Sequence, residues 1–224
     1  MSRRRAKRSG DYKDRSCGRR FEADLLKAGY RLIAGSDEVG RGALAGPVVA
    51  ASVILNLENV PEGIDDSKKL TRLQREKLAV EIKKTAFAFS ITRVEHGEID
   101  RINILNASLL AMERAVKALQ PPADYVLIDG RQKVPHLECP QLAIVKGDSL
   151  SVSIAAASII AKVARDAWMT EYDETYPGYG FASHAGYNTR AHQEAIARLG
   201  PSVIHRLTFH GVKAFQASLN LVVE

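Results

Sequence analysis

The stretch GSDEVGRGALAG, residues 35–46, places two adjacent carboxylates at the end of an apolar run. Asp37 and Glu38 close the strand-like segment LIAGSDE, and the turn-like sequence Gly40-Arg41-Gly42 follows directly. Adjacent carboxylates near a core are costly unless a cation compensates them. Glycines open the backbone to close approach by a phosphate, a sugar or a neighbouring strand. The stretch therefore predicts an acidic site at the end of a strand, beside a backbone segment that a ligand can approach.

Two more strand-like runs end in an acid. The run VLIDG carries Asp129 near its end, and LAIVKGD ends at Asp148. If these strands lie beside the first, their acids converge at one end of the sheet, where ligands of open α/β sheets bind. Clustered carboxylates need a hard cation, and oxygen ligands without a Cys/His cluster favour Mg²⁺ or Mn²⁺. Such a site suits two-metal hydrolysis of a phosphodiester, and its predicted catalytic and metal-binding residues are Asp37, Glu38, Asp129 and Asp148.

Each of these acids also has a purely structural interpretation. Asp129 with Gly130 is typical of a turn, and Asp148 is suitably placed to cap a helix that begins at Ser149 or Leu150. Neighbours on a regular strand face opposite sides, so Asp37 and Glu38 share one site only if the strand ends or bends there. Four acids at three strand ends together favour the metal site.

The apolar pattern predicts a mixed α/β sheet flanked by helices. Strands are expected at residues 31–39, 47–55 and 87–94, as an antiparallel meander with a helix in one connection. That helix has a start signal at Asp66/Ser67 and apolar residues at Leu70, Leu73, Leu78 and Ile82. An amphipathic helix at 104–119, two short strands and a long small-residue helix at 149–172 follow. The expected organisation is a basic disordered tail (1–20), a catalytic core (21–175) and a helical C-terminal segment (176–224).

Charge and cysteine usage limit the class of protein. The net charge of +6 is concentrated in residues 1–20, which carry nine Lys/Arg and two Asp, whereas the remainder is near neutral. That tail is equally typical of a solubility segment and of a nucleic-acid-binding arm. Cys17 and Cys139 form no CxxC motif, which fits a reducing compartment. No apolar run reaches membrane-spanning length, and no signal peptide is recognisable, so we expect a cytoplasmic protein without membrane contact.

Two nucleotide-binding motifs resemble this region only in part. Gly40-x-Gly42-x-x-Ala45 matches a dinucleotide fingerprint, but Gly46-Pro47 and a β-branched run follow where a helix is required. An apolar run that ends in Asp-Glu is also found in nucleoside triphosphatases, but the chain contains no GxxxxGK[ST]. Neither interpretation explains the acids as well as a metal-dependent hydrolase does.

Eight motifs, taken in order, resemble the ribonuclease HII family from about residue 30 to about residue 212. They are GSDEVGRGALAGPVVAASVIL, DDSKKL, INILNASLLAM, LIDG, VKGDS, AAASIIAKVARD, GYGFASHAGYNT and GPSVIHRLTF. The resemblance implies a ribonuclease H-like fold with an added helical C-terminal segment. It also implies endonucleolytic cutting of RNA that is paired with or joined to DNA, which leaves 5′-phosphate and 3′-hydroxyl ends.

The resemblance assigns roles to individual residues. The family's four acids fall on the four predicted above, its backbone reader falls on Gly40, Arg41 and Gly42, and its sugar-stacking tyrosine falls on Tyr187. The chain departs from the family at Ala43, where proline is usual, and at Ala185, where lysine is frequent. The first departure concerns the stiffness of the loop, and the second concerns one phosphate contact.

Further polar residues are candidates for contacts with the nucleic acid. Ser158 and Lys162 are four residues apart on the predicted small-residue helix and suit phosphate contacts, although the same spacing is typical of a solvent-exposed face. Asp166, one helical turn further along, is predicted to be structural and to pair with a nearby basic side chain. Lys68 and Lys69 are equally compatible with phosphate contacts and with a position beside a helix.

The sequence thus predicts a monomeric endonuclease that depends on Mg²⁺ or Mn²⁺. Its expected substrates are RNA–DNA hybrids and duplex DNA that contains ribonucleotides. A non-catalytic hybrid-binding protein with the same fold is the main alternative, and the intact acids argue against it. A nicotinamide-dependent oxidoreductase is more remote still.

Overall fold

The computed structural model of the chain describes residues 17–213. Most of the predicted tail and residues 214–224 lie outside this range. The helices and strands are α1 (Arg20–Lys27), β1 (Ile33–Val39), β2 (Val48–Ile54), α2 (Arg72–Thr85), β3 (Ala88–Val94), α3 (His96–Ile102), α4 (Ile104–Lys117), β4 (Tyr125–Asp129), β5 (Gln141–Ile144), α5 (Val152–Thr175), α6 (Phe181–His184) and α7 (Arg190–Leu199). A 3₁₀ turn covers Gly147–Ser149.

The five strands form one mixed sheet in the order β3-β2-β1-β4-β5. β1 pairs antiparallel with β2, which pairs antiparallel with β3, so the predicted meander with a helix in one connection is confirmed. On its other side β1 runs parallel to β4, which runs parallel to β5. Ser36 lies opposite Ile128 in this register. The next residues, Asp37 and Asp129, therefore lie side by side at the carboxyl ends of adjacent strands.

Both faces of the sheet are covered, which explains why Ser52 is the only polar residue of β2. Val48 and Ala50 contribute to the core beneath α4, whereas Val49 and Ala51 contribute to the core beneath α2 and α5. Every residue of β2 is buried. A strand buried on both faces reads as continuous apolar sequence rather than as alternation.

Helix α5 packs very closely on β1 because both carry small residues. A Cβ atom at Gly35 would lie 2.1 Å from the backbone carbon of Ser153. The helix is capped by Ser151, whose hydroxyl accepts the N–H of Ile154 at 3.3 Å. The buried carboxylate of Glu22 accepts the Ser153 N–H at 3.0 Å and so completes the cap. The proposal that Asp148 caps this helix is therefore wrong.

The predicted start of α2 at Asp66/Ser67 is also wrong. The helix begins at Arg72, with Thr71 and Gln74 forming a reciprocal capping box. Asp66 instead accepts the backbone N–H of Lys68 at 3.0 Å and stabilises a local turn. Leu73, one of the apolar residues in the predicted helix, is 62% exposed. The helix α3 was not predicted.

The C-terminal segment is helical, as predicted, and is joined to the core through residues 43–46. The N–H of Leu44 donates to the carbonyl of Gly186 at 2.8 Å, and the carbonyl of Leu44 accepts the N–H of Arg206 at 2.8 Å. Gly46 donates to Ile204 at 2.9 Å. The segment that follows the two acids therefore runs between two parts of the C-terminal segment. No helix within residues 17–213 has the length and apolar character needed to cross a membrane.

Candidate active site

A cavity of about 350 Å³ opens at the carboxyl ends of β1 and β4. Six of the predicted site residues line it together, and they come from β1, β4, α5 and the loop before α7. These six are Asp37, Glu38, Asp129, Ser158, Lys162 and Tyr187. The structure thus brings together side chains that are separated by most of the length of the core.

Asp37 and Glu38 both line this cavity, although the regular pairing of β1 with β2 continues through both residues to Val39. Asp37 is only 6% exposed, and one of its oxygens accepts the backbone N–H of Glu38 at 2.7 Å. Glu38 extends toward a neighbouring cavity of about 410 Å³, where its Oε1 pairs with Arg41 Nη1 at 3.1 Å. Its Oε2 is buried and has no hydrogen-bond partner among the described residues.

Asp129 and Asp148 are connected through the loop that follows β5. Asp129 Oδ1 accepts the backbone N–H groups of Gly147 at 2.6 Å and of Asp148 at 3.4 Å. Asp148 is buried, and its Oδ2 accepts a hydrogen bond from Lys68 Nζ at 2.7 Å. Lys68 lines the cavity, whereas Asp148 lies one contact away from it. Lys68 therefore belongs to the acidic site, and Lys69 pairs with Asp65 at 2.9 Å.

Burial and mutual repulsion raise the pKa values of the acids at the site. Burial, together with the nearby Glu38 and Asp129, raises the pKa of Asp37 well above its usual value. Burial also raises the pKa of Glu38, although Arg41 opposes the shift. The pKa of Asp129 is raised by burial and by Asp148. A bound cation would relieve the repulsion that these shifts report.

The donor set fits a divalent cation, although its groups do not form a closed cage. Within residues 17–213, no three carboxylate, imidazole or thiol groups already enclose a metal position. Lys68 donates a hydrogen bond to Asp148, and Oε2 of Glu38 has no hydrogen-bond partner among the described residues. All the candidate ligands are carboxylate oxygens around a cavity, which is the chemistry that Mg²⁺ and Mn²⁺ prefer. The residues therefore fit such an ion once Lys68 releases Asp148.

Helix α5 contributes two more predicted residues. Ser158 is 6% exposed and shares a hydrogen bond of 2.9 Å with Ser67, so the interpretation of this position as a solvent-exposed face is wrong. Lys162 Nζ contacts Asp166 at 2.7 Å, which confirms the predicted pairing of Asp166 with a basic side chain. Lys162 also lies 5.7 Å from the centre of the Tyr187 ring.

The glycine turn lies next to Tyr187. Ala43 pairs with Tyr187 in an isolated β-bridge, which connects the turn at residues 40–42 to the loop that carries the tyrosine. The backbone N–H groups of Arg41 and Gly42 have no acceptor within the described part of the chain. The turn leads into β2, not into a helix, which excludes the dinucleotide fingerprint. Ala185 adopts a left-handed φ of 48°, and its carbonyl faces Arg165.

Two buried arginines beneath the turn were not recognised from the sequence. Arg165 donates to the carbonyls of Ala45 at 3.2 Å, Pro47 at 3.0 Å and Ala185 at 2.8 Å. Arg206 donates to the carbonyls of Arg41 and Gly46, each at 3.0 Å.

Neither arginine forms an ion pair with a described carboxylate. Burial lowers the pKa of Arg165 and, together with the charge of Arg165, lowers that of Arg206 to about 9. Arg165 continues the helical spacing of Ser158 and Ala161 on the buried face of α5, and that spacing was the available signal. Arg206 has no comparable pattern around it.

Comparison with known proteins places these features in a family. The family described as Ribonuclease HII matches residues 34–212. A ribonuclease HII from Geobacter sulfurreducens is 58% identical over 193 residues, which cover 86% of this chain and 88% of that protein. A ribonuclease HII from Syntrophomonas wolfei is 52% identical and covers 88% of this chain and 76% of its own length. The crystal structure of ribonuclease H2 from Pyrococcus horikoshii is similar with a TM-score of 0.71 and 26% identity, covering 84% of this chain and 98% of that one.

Proposed function

Because this chain belongs to the ribonuclease HII family and is therefore a metal-dependent endoribonuclease acting on RNA–DNA substrates, we propose that it also cuts single ribonucleotides embedded in duplex DNA. The cut falls on the 5′ side of the ribonucleotide and leaves a 3′-hydroxyl and a 5′-phosphate. The observation that carries this proposal is the bridge between Ala43 and Tyr187, which connects the glycine turn, exposed at Arg41 and Gly42, to an aromatic ring beside the acids.

The hydrolytic step is assigned to the four acids. Asp37, Glu38, Asp129 and Asp148 would hold two Mg²⁺ or Mn²⁺ ions, and such ions would supply activation of water and neutralisation of charge on a leaving oxygen. Asp129 also keeps the loop at residues 147–148 in place through its Oδ1. Asp148 is available as a ligand when Lys68 turns toward solvent, where most of that side chain already lies.

Recognition of the ribonucleotide is assigned to the turn at residues 40–42 and to Tyr187, together called the junction reader. The free N–H groups of Arg41 and Gly42 are suited to a 2′-hydroxyl, the group that distinguishes RNA from DNA. The half-buried ring of Tyr187 is suited to stacking on the next sugar and accepts it only as a deoxyribose. The junction reader therefore selects an RNA-to-DNA step rather than a base sequence.

Binding of the duplex without regard to its sequence is assigned to basic and polar side chains of the same cavity. Lys162 and Ser158 remain the proposed phosphate contacts, although each is engaged by a protein partner in the free enzyme. Arg75 lies between them and the turn before α2, where it donates to the carbonyl of Ser67 at 3.0 Å. Such contacts position a backbone without reading its sequence.

The test uses a duplex with one ribonucleotide in a 5′-labelled DNA strand. In Mg²⁺ we expect a single cut on the 5′ side of the ribonucleotide, and in EDTA we expect none. The labelled fragment should be extended by a DNA polymerase, because it carries a 3′-hydroxyl. Cleavage of a long hybrid without cleavage of this duplex would reduce the protein to a general hybrid nuclease.

The basic tail is tested by deleting residues 1–16, which carry seven Lys/Arg. The truncation ends before Cys17 and Arg19, which contact the core. If the tail contacts phosphates, the slope of log Kd against log salt concentration shrinks by about 0.9 for each lost contact. We measure the slope on a hybrid without divalent metal, and an unchanged slope assigns the tail to solubility alone.

A further inference from the structure

Two histidines of the C-terminal segment are fully buried close to the backbone of Tyr187. His192, in α7, places Nδ1 2.9 Å from the carbonyl oxygen of Tyr187. Its Nε2 lies 3.0 Å from Nε2 of His205. His205 Nδ1 accepts the backbone N–H of Ser202 at 2.8 Å. Three hydrogen bonds therefore connect Ser202 to the carbonyl of Tyr187 through two imidazole rings.

The groups at the two ends of this series of hydrogen bonds determine which nitrogens of the two imidazole rings carry a proton. A carbonyl oxygen only accepts, so Nδ1 of His192 carries a hydrogen, and a backbone N–H only donates, so Nδ1 of His205 carries none. A neutral imidazole holds one N–H, and the His205 Nε2–H therefore donates to Nε2 of His192. Every nitrogen is satisfied when both rings are neutral, and burial keeps them so by lowering the pKa of each to about 4.

The residues at both ends of the histidine pair are also connected, through their backbones, to the residues that follow the glycine turn. The backbone of His205 pairs with Ala45, and the backbone of Tyr187 pairs with Ala43. The two imidazole rings therefore connect the backbone that pairs with Ala43 to the backbone that pairs with Ala45. Their hydrogen bonds therefore add a side-chain support for the Tyr187 backbone to its bridge with Ala43.

We propose that His192 and His205 are positioning residues for the junction reader, which they serve by holding the Tyr187 carbonyl at a fixed place relative to the glycine turn. The inference rests on the proposed function, because the role of Tyr187 at a deoxyribose is assigned there. The histidines do not touch substrate in this assignment. They act only through the backbone of Tyr187.

The two nitrogens of His192 can be tested separately. In His192→Asn the side-chain amide overlays Nδ1, so the donor to the Tyr187 carbonyl is kept and the bond to His205 is lost. In His192→Gln the amide overlays Nε2, so the contact with His205 is kept and the Tyr187 carbonyl loses its donor. Each variant removes one hydrogen bond from the same buried site, which makes them matched controls.

The measured quantity is the rate on a single embedded ribonucleotide divided by the rate on a long RNA–DNA hybrid. Both rates come from one preparation of the full chain, so the fraction that fails to fold cancels. We expect His192→Gln to lower this ratio about tenfold, as for one lost hydrogen bond. We expect His192→Asn to keep it close to that of the unaltered protein.

The outcomes separate this inference from the proposed function. If both variants keep the ratio while Tyr187→Ala lowers it, the junction reader stands and the histidines only stabilise the fold. If both variants lower the ratio equally, the δ-nitrogen has no special role and the inference fails. If Tyr187→Ala itself keeps the ratio, the proposed reading of the junction fails, and the inference falls with it.

Discussion

Replacement of Asp129 by asparagine should lower the rate of hybrid cleavage in Mg²⁺ about a thousandfold, or roughly 4 kcal/mol of transition-state stabilisation. Asparagine keeps Oδ1, which accepts the N–H groups of Gly147 and Asp148, so the loop after β5 retains its support. The second oxygen becomes an amide group, which carries no charge and cannot bind a cation. We therefore expect binding of the hybrid to survive while turnover is lost, as measured by fluorescence anisotropy and by gel assay.

Asp124→Asn is the matched control for this substitution. Asp124 also accepts one backbone N–H, that of Arg31 at 2.7 Å, and it has a second buried oxygen without a partner. It lies before β4, at the opposite end of that strand from the acids. The control should cleave hybrids at the normal rate, and similar turnover in both variants would remove Asp129 from the active site.

The second large effect is expected for the junction reader. Tyr187→Ala should lower cleavage of a single embedded ribonucleotide about a hundredfold, because stacking on a ring is worth roughly 1–3 kcal/mol. Gly42→Ala should lower it about tenfold or more with little change in melting temperature. A Cβ atom at Gly42 meets no atom of residues 17–213 within 4 Å apart from its chain neighbours, so we expect its methyl group to obstruct a ligand rather than the fold. Wild-type rates for both variants on this duplex would contradict the assignment.

Gly40→Ala distinguishes a defect in reading from a defect in folding. Gly40 has φ +96°, and a Cβ atom there would lie 2.2 Å from Nε of the buried Arg165. This variant should therefore melt at a lower temperature and lose activity on every substrate alike. Gly42→Ala should instead lose activity selectively on the duplex with a single ribonucleotide.

The sheet was predictable from the sequence because its strands are buried and end in acids. β2 is apolar except for Ser52, and the acids at the ends of β1 and β4 mark the edge where these strands meet. The convergence of Asp37 and Asp129 follows from parallel pairing, which the apolar runs already suggested. The roles of individual side chains at the site came from the family resemblance rather than from these patterns.

Other features do not follow from the sequence, either because local signals compete or because the contacting residues lie far apart in the chain. The start of α2 was placed too early, because two capping signals compete and the capping box at Thr71 prevails over Asp66. The helical spacing of Arg165 indicates the buried face of α5, but it does not reveal that the partners of the guanidinium are carbonyls far away in the chain. Tyr187 and Ser202 lie close in sequence to His192 and His205, but the hydrogen bond between the two histidines depends on the fold of the C-terminal segment.

The close packing of α5 on β1 has a consequence for protein synthesis. The two acids on β1 leave the ribosome early, but β1 needs β4 as its parallel neighbour, and α5 covers it at Gly35. Pairings between segments so distant in sequence form slowly and only after the later segment has been made. A nascent chain that stops before α5 therefore carries Asp37, Glu38 and Asp129 without a working site. We therefore expect cleavage of nucleic acid only after translation has passed α5 and Tyr187.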